Sequence, residues 1–415
     1  MRIRWRVVAA FAALLFVAAA CGDDGETGAT SATGEGETAQ GEPIRIGISL
    51  PLTGDFSQPG GEAKRGYEIW RDLTNEAGGL LGRPVELVIL DDASSQDTVV
   101  SDYQRLIDQE NVDLLLGTFS SLLNLPASAV AERNQMVYVE PAGGAPEMFE
   151  RGFQYLFFAQ QATAPHQADL FVDWVLGLPE DERPTTAAYP TMDDPFAAPV
   201  IQLGIQQQLE AGGIETVYET VYPPDTTNFD TIAADIQGSG AELVAQGAVF
   251  EDGVGLVRSF QRIDFNPEIL FQTSAPSNSD QYAEGIGPEN TEGIFYAVSW
   301  HQDTDTLMNE EFVSAYAETF EGAIPAEDAA DAFAAAQVLQ TALEAVGEID
   351  QEAIKDYLHA NEVETLLGTL SWDETGAPEQ AFLLAQWQGP QAEIVLPEEV
   401  ATTDTIVNPK PEWAS

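Results

Sequence analysis

From Ile44 onward, short apolar runs alternate with longer stretches in which apolar positions recur every three or four residues. IRIGISL (44–50) predicts a strand and PLTGDFSQPGG (51–61) a Pro/Gly loop. The spacing of Ala63, Tyr67, Trp70, Leu73 and Ala77 predicts a helix with one buried face, closed by Gly78-Gly79. VELVILDD (85–92) predicts the next strand, QDTVVSDYQRLIDQE (96–110) a helix and VDLLLGT (112–118) a third strand. Residues 125–134 then read as a third helix and MVYVEP (136–141) as a fourth strand. Strands that are apolar almost throughout, separated by amphipathic helices, predict a parallel sheet covered on both faces.

The pattern restarts with YLFFAQ (155–160), a helix at about 165–176, the strand TAAYP (186–190) and a helix at about 197–211. ETVYETVYP (215–223), LVAQGAV (243–249) and ILFQTS (269–274) continue it, with helices between them. After GIFYAVSW (293–300) the chain turns strongly helical, most clearly in DAADAFAAAQVLQTALEAV (328–346). AFLLAQWQ (381–388) and AEIVLP (392–397) predict a closing antiparallel pair. The fold class is therefore α/β, with two doubly wound, Rossmann-like lobes and a late helical return.

The N-terminus follows a different logic. Arg2, Arg4 and Arg6 precede an apolar run over residues 7–20. That run is too short for a hydrocarbon core needing roughly 20 helical residues, and residues 1–20 read as a signal peptide. Ala18-Ala19-Ala20-Cys21-Gly22 resembles a bacterial lipobox, whose cysteine is acylated and becomes the new N-terminus. Cys21 is the only cysteine of the chain. Residues 22–42 hold no large apolar side chain, so residues 21–42 read as a lipidated cysteine with a flexible tether. The expected location is extracytoplasmic, with the membrane reached through the lipid anchor alone.

Charge narrows the function classes. The 69 acidic residues against 16 basic ones give a formal net charge of −53, which repels phosphate backbones and excludes nucleic acid as a partner. Removing the leader, which has three arginines and no acids, makes the balance three units more negative. Such a surface repels itself at low ionic strength and is expected to suit a salty medium, where the Debye length shortens to about 3 Å at 1 M. One cysteine and three dispersed histidines (His166, His301, His359) leave no zinc-site pattern. A nucleophile elbow, a P-loop and a Rossmann glycine fingerprint are all missing, so no enzyme and no cofactor is expected. Asp91-Asp92 reads as a turn cap, and Trp70, Trp174 and Trp387 as core.

In open parallel sheets, ligands bind beyond the carboxyl ends of the strands. That rule points to residues 51–60, 118–124, 141–146, 190–196, 249–252 and 273–278. For any single Ser or Thr in these loops, such as Ser120, Ser121 or Ser274, helix capping competes with ligand contact.

Four motifs in order carry a family resemblance. IRIGISLPLTGDFSQPGG with the following helix and VELVILDD is the first. LLLGTFSS (114–121) with Pro126-Ala127-Ser128, then PAGGAPE (141–147), then GTLSWDETG (368–376) complete the set. Over about residues 43–395 the chain resembles the leucine/isoleucine/valine-binding proteins, solute receptors of ABC importers with the type I periplasmic-binding fold.

The resemblance implies two lobes joined by three crossing segments, near 159–164, 296–301 and 367–372. Lobe one would hold residues 44–161 plus 299–367, and lobe two residues 162–298 plus 368–397. Residues 398–415 would form a C-terminal tail. By resemblance the ligand's carboxylate and ammonium would meet Ser121, beside Ser120, and the loop Ala142, Gly143 and Gly144. Gly144 stands where the family usually offers a threonine hydroxyl. An aromatic contact falls on Phe196, with Phe250 in the next loop. The family's acidic ammonium anchor aligns with Thr273, which is no acid. Either Glu140, Asp194, Glu251 or Asp252 replaces that anchor, or the ligand has no ammonium group.

The expected function is that of an extracytoplasmic substrate-binding lipoprotein of an ABC importer, acting as a monomer. It would hold a small-molecule solute, namely a branched-chain amino acid or a related amide or carboxylate, and deliver it to an ABC permease. The alternative is a ligand-sensing receptor of the same fold that feeds a signalling partner.

Overall fold

The computed structural model describes residues 40–277 and 279–414. The expected leader, Cys21 and nearly all of the tether lie outside the described residues.

The first sheet is built from β1 (Ile44–Leu50), β2 (Val85–Asp91), β3 (Leu114–Leu116), β4 (Tyr138–Glu140) and β5 (Leu156–Phe158). Its order is β2-β1-β3-β4-β5, and every pairing is parallel. Alternate residues serve opposite faces. Leu114 and Leu116 join one core with Ile46, Val139 and Phe157, while Leu115 joins another with Tyr138, Leu156 and Phe158. Both faces of β3 and β5 are dry, which explains strands without a polar side.

The second sheet repeats the plan with β6 (Thr186–Met192), β7 (Glu215–Tyr222), β8 (Leu243–Gln246), β9 (Ile269–Gln272) and β10 (Ile294–Val298). The chain then returns to the first sheet through the helices Asn309–Thr319, Glu327–Val346 and Gln351–Ala360. A hairpin, β11 (Val363–Thr365) and β12 (Gly368–Leu370), follows. Finally β13 (Leu383–Gln388) and β14 (Gln391–Leu396) add antiparallel strands to the edge of the second sheet, in the order β14-β13-β10-β9-β8-β6-β7. Residues alternate here too: Leu243, Ile269 and Phe295 face one core, and Val244, Leu270 and Ile294 the other. The fold is the two-lobed α/β architecture expected from the pattern.

Two segments sit differently from their sequence-based placement. Residues 368–377 were expected in the second lobe, yet Leu370 and Trp372 are buried in the core of the first sheet. The Trp372 indole donates to the Phe158 carbonyl at 2.6 Å, and the chain enters the second core only at Phe382. Residues 398–414 are docked on the second sheet: the Lys410 amide donates to the Glu268 carbonyl at 2.8 Å, and Trp413 packs on that core.

Close packing sets where the late helix begins. A Cβ on Gly66 would overlap the Ala329 carbonyl, so the helix Ser57–Glu76 approaches Glu327–Val346 backbone to backbone. Trp70 reinforces the contact by donating to the Gln340 side chain at 2.9 Å.

The three crossings meet at one side chain. Gln161 donates through Nε2 to the Ser299 carbonyl at 2.7 Å and the Leu367 carbonyl at 3.1 Å, and its backbone carbonyl accepts from the Gln380 backbone amide at 2.8 Å.

Candidate functional site

The loops following β1, β3, β4, β6, β8 and β9 leave the carboxyl ends of their strands and line one cleft. It encloses about 910 Å³ of empty space, part of it open to solvent.

From the first sheet, Phe56 follows β1, Phe119 and Ser120 follow β3, and Ala142 follows β4. A bridge between Phe119 and Ala142 holds two of these loops side by side. Phe56 and Phe119 meet edge to face, with ring centroids 5.6 Å apart. Ser120 heads the helix Ser121–Arg133 with φ +69°, a conformation that L side chains rarely adopt. Its hydroxyl is buried, borders the cleft and has no hydrogen-bond partner.

From the second sheet come Asp194 and Phe196 after β6, Phe250 and Glu251 after β8, and Ser274 after β9. Asp194 caps its own turn, accepting from the Phe196 and Ala197 amides at 2.8 and 2.9 Å. Burial still holds its carboxyl above the usual range. Gln167 contributes an amide oxygen that is buried and unpartnered.

The other predicted contacts have different surroundings. Ser121 lies beneath the lining, its hydroxyl accepting from the Ala145 amide at 3.0 Å. Thr273 donates to the Ala248 carbonyl at 2.7 Å and accepts from the Ala248 amide at 2.8 Å. Gly143 rests on the Glu140 carboxylate, where a Cβ would come within 2.6 Å of Oε1. Gly144 is pressed between Phe158 and Phe196, each ring 3.1 Å from where its Cβ would be. The structure thus gathers Ser120, Ala142, Phe196 and Phe250 on the cleft wall and uses Ser121, Gly143, Gly144 and Thr273 to shape the loops.

The acids sort in the same way. Asp194 and Glu251 line the cleft, but Glu140 and Asp252 do not. Glu140 accepts from the Ala142 amide at 2.8 Å and the Asn124 side chain at 3.0 Å, and burial pushes its carboxyl well up. Asp252 takes the Tyr222 hydroxyl, and burial pushes it up to about 7.

Sequence reasoning missed the first turns of the late helix. Glu327, Asp328 and Asp331 border the cleft, beside Gln160 from the first crossing. Glu327 accepts from the Ser299 amide and, at 2.9 Å, from the Ser299 hydroxyl. Asp331 lies 2.5 Å from that same hydroxyl and accepts from Gln160 Nε2 at 2.6 Å. Burial raises all three carboxyls, and the neighbouring charge of Glu327 adds to the rise at Asp328, which reaches about 8. The available clue was an acid, Asp331, one turn inside an alanine-rich apolar face. No Lys, Arg or His among the described residues lines the cleft. Among the described residues, no cluster of three or more His, Cys, Asp or Glu is arranged to hold a metal ion.

The sequence profile of the family described as "Periplasmic binding protein" matches residues 43–392. The chain belongs to the periplasmic binding protein family. Among curated members, the Leu/Ile/Val-binding protein homolog 3 of Brucella melitensis is 28% identical over 341 residues, covering 80% of this chain and 88% of the relative. Among solved periplasmic binding protein structures, LivJ from Streptococcus pneumoniae, in complex with isoleucine, superposes with a TM-score of 0.74 at 17% identity. It covers 86% of this chain and 100% of LivJ. A solute-binding protein from R. palustris, in complex with benzoate, gives a TM-score of 0.74 at 19% identity over 90% of this chain and 98% of its own. These likenesses fix the fold. Among the described residues, no helix is long and apolar enough to cross a membrane.

Proposed function

We propose that this periplasmic binding protein is the extracytoplasmic substrate-binding component of an ABC importer. It holds a small polar solute, of the size class of branched-chain amino acids and their amides and carboxylates, and releases it unaltered to a permease. One observation carries this reading: loops from the carboxyl ends of six strands, three from each sheet, converge on a single cleft. The three crossing segments act as the hinge on which the lobes close. Ser120, Ala142, Phe196 and Phe250 are the proposed ligand contacts. Acylated Cys21 is the proposed anchor of an otherwise soluble monomer.

Titration of purified protein with small solutes at high salt tests the reading, because a ligand that binds only the native state raises the melting temperature by mass action. A hit should be recovered chemically unchanged and should stimulate the ATPase of a cognate permease in proteoliposomes. Turnover of the solute, or no hit at all, would remove the importer reading. Stimulation of a sensor kinase, with the permease unaffected, would favour the signalling alternative. For the anchor, Cys21→Ser should move the protein from the membrane fraction to the soluble fraction.

A further inference from the structure

The cleft has a one-sided charge inventory. Glu327, Asp328 and Asp331 face it from the late helix, with Asp194 and Glu251 on the opposite wall and no basic side chain among the lining residues. Carboxylates in the first turn of a helix answer its dipole, and that accounts in part for Glu327 and Asp328. It does not account for Asp331, which lies deeper in the helix and is only 3% exposed. A buried carboxylate is costly unless paired. The Ser299 hydroxyl has one proton for two acids, Glu327 and Asp331. Asp328 has no hydrogen-bond partner among the described residues.

A second observation is independent of the acids. Ser120 and Gln167 both line the cleft and are more than nine-tenths buried, and the Ser120 hydroxyl and the Gln167 amide oxygen are unpartnered. The Ser120 hydroxyl can donate or accept, but the Gln167 oxygen and the lining carboxylates only accept, so the wall carries charged acceptors and no charged donor among its lining residues. An ammonium group is a donor only, so it fits such a wall. Five phenylalanines, Phe56, Phe119, Phe196, Phe250 and Phe382, supply the remaining surface, and aromatic faces attract cations. An organic anion would find no counter-charge on any lining side chain.

We propose that the ligand carries a cationic nitrogen, and that this group docks against the turn Glu327–Asp331 rather than against the loop after β9. The proposal rests on the binding-protein reading and names its substrate class: an amine, quaternary ammonium or amino-acid amide with a small apolar body. The acids lie on the first-sheet side of the cleft, next to the crossings, so the cation anchors the ligand at the hinge end.

The test is calorimetric titration with probes matched in shape and differing in charge. Leucinamide is compared with 4-methylpentanamide and 4-methylpentanoate, and benzylamine and benzyltrimethylammonium with benzyl alcohol and benzoate. In each set the cation should bind at least about tenfold tighter. For leucinamide and benzylamine that is the ratio expected for one charge-assisted hydrogen bond, whereas benzyltrimethylammonium, which has no N–H, draws its preference from charge and aromatic contact alone. Asp328→Asn should abolish that preference, whereas Asp181→Asn, at an exposed site elsewhere, should leave it intact. Because Asp328 makes no hydrogen bond, its amide variant should fold; Glu327→Gln provides a second reading. Binding of the neutral or anionic probes as tightly as the cations, or a preference that survives both variants, would overturn the cation site while leaving the binding-protein reading in place. Binding by none of the probes, nor by any solute of the wider screen, would overturn both.

Discussion

Ser120 and Ser121 are neighbours with opposite surroundings, and substitution should separate them. The Ser120 hydroxyl borders the cleft without a partner, so Ser120→Ala should weaken ligand binding and leave the melting temperature nearly unchanged. The Ser121 hydroxyl satisfies the buried Ala145 amide, so Ser121→Ala should cost about 1–3 kcal/mol of stability, read from denaturant unfolding. Titration gives another residue-scale expectation. Asp328 is pushed up to about 8, Asp252 to about 7 and Asp92 to about 6, each chiefly by burial. At these three groups the folded state binds more protons than the unfolded chain between about pH 4 and pH 8, so their contribution to stability falls as pH rises through that window. Lys410, which burial pushes down to about 7, opposes this only near the top of the window. The groups facing Asp328 give no relief. Glu327 and Asp331 share its helix, and Asp55, Asp194 and Glu251 line the same cleft. Glu62 adds charge from a neighbouring helix, with Arg65 engaged on Glu62 at 2.8 Å and Tyr316 also bonded to it. Melting curves at pH 5 and pH 8, at one ionic strength, should show the drop, and Asp328→Asn should reduce it. A bound cation should require Asp328 ionised, so binding should tighten from pH 6 to pH 9 and release a proton, detectable by calorimetry in buffers of different ionisation enthalpy.

The elements show why some of this was readable in advance. Strands such as Leu114–Leu116 and Leu156–Phe158 are apolar on both faces because both faces are buried, so a local pattern reports a global layer. The cleft loops were locatable for a similar reason, since parallel strands send all their carboxyl ends to one edge. Choosing within a loop was harder, because Ser120 and Ser121 differ only by a backbone turn at φ +69° that no residue pattern announces. The acids at 327–331 were hidden by distance. They meet the strand loops only because the late helix packs back on the first sheet, and a helix rich in alanine announces itself as core. Gly66 is the contact that places this helix. Gly66→Ala would drive a methyl into the Ala329 carbonyl, and the resulting shift should cost about 1–3 kcal/mol and displace Asp328 from the cleft wall. Chemical denaturation should show the first effect, and a weakened response to the cationic probes the second.

At the scale of the whole molecule, a net charge of −53 sets the conditions under which the fold works. Self-repulsion falls as salt screens it, so the melting temperature should climb between 0.1 and 2 M KCl; a fall over that range would show that the acidity has no link to salt. The Gln161 amide, shared by all three crossings, has a mechanical consequence. A strut tied to three cables cannot slacken one of them alone, so the lobes are expected to swing as rigid bodies about a single axis rather than to shear strand by strand. Because Ser299 touches both this strut and the acidic turn, a guest held at that turn pulls on the pivot itself. Occupancy and jaw angle then become one coordinate, which a membrane-bound partner could sense from outside.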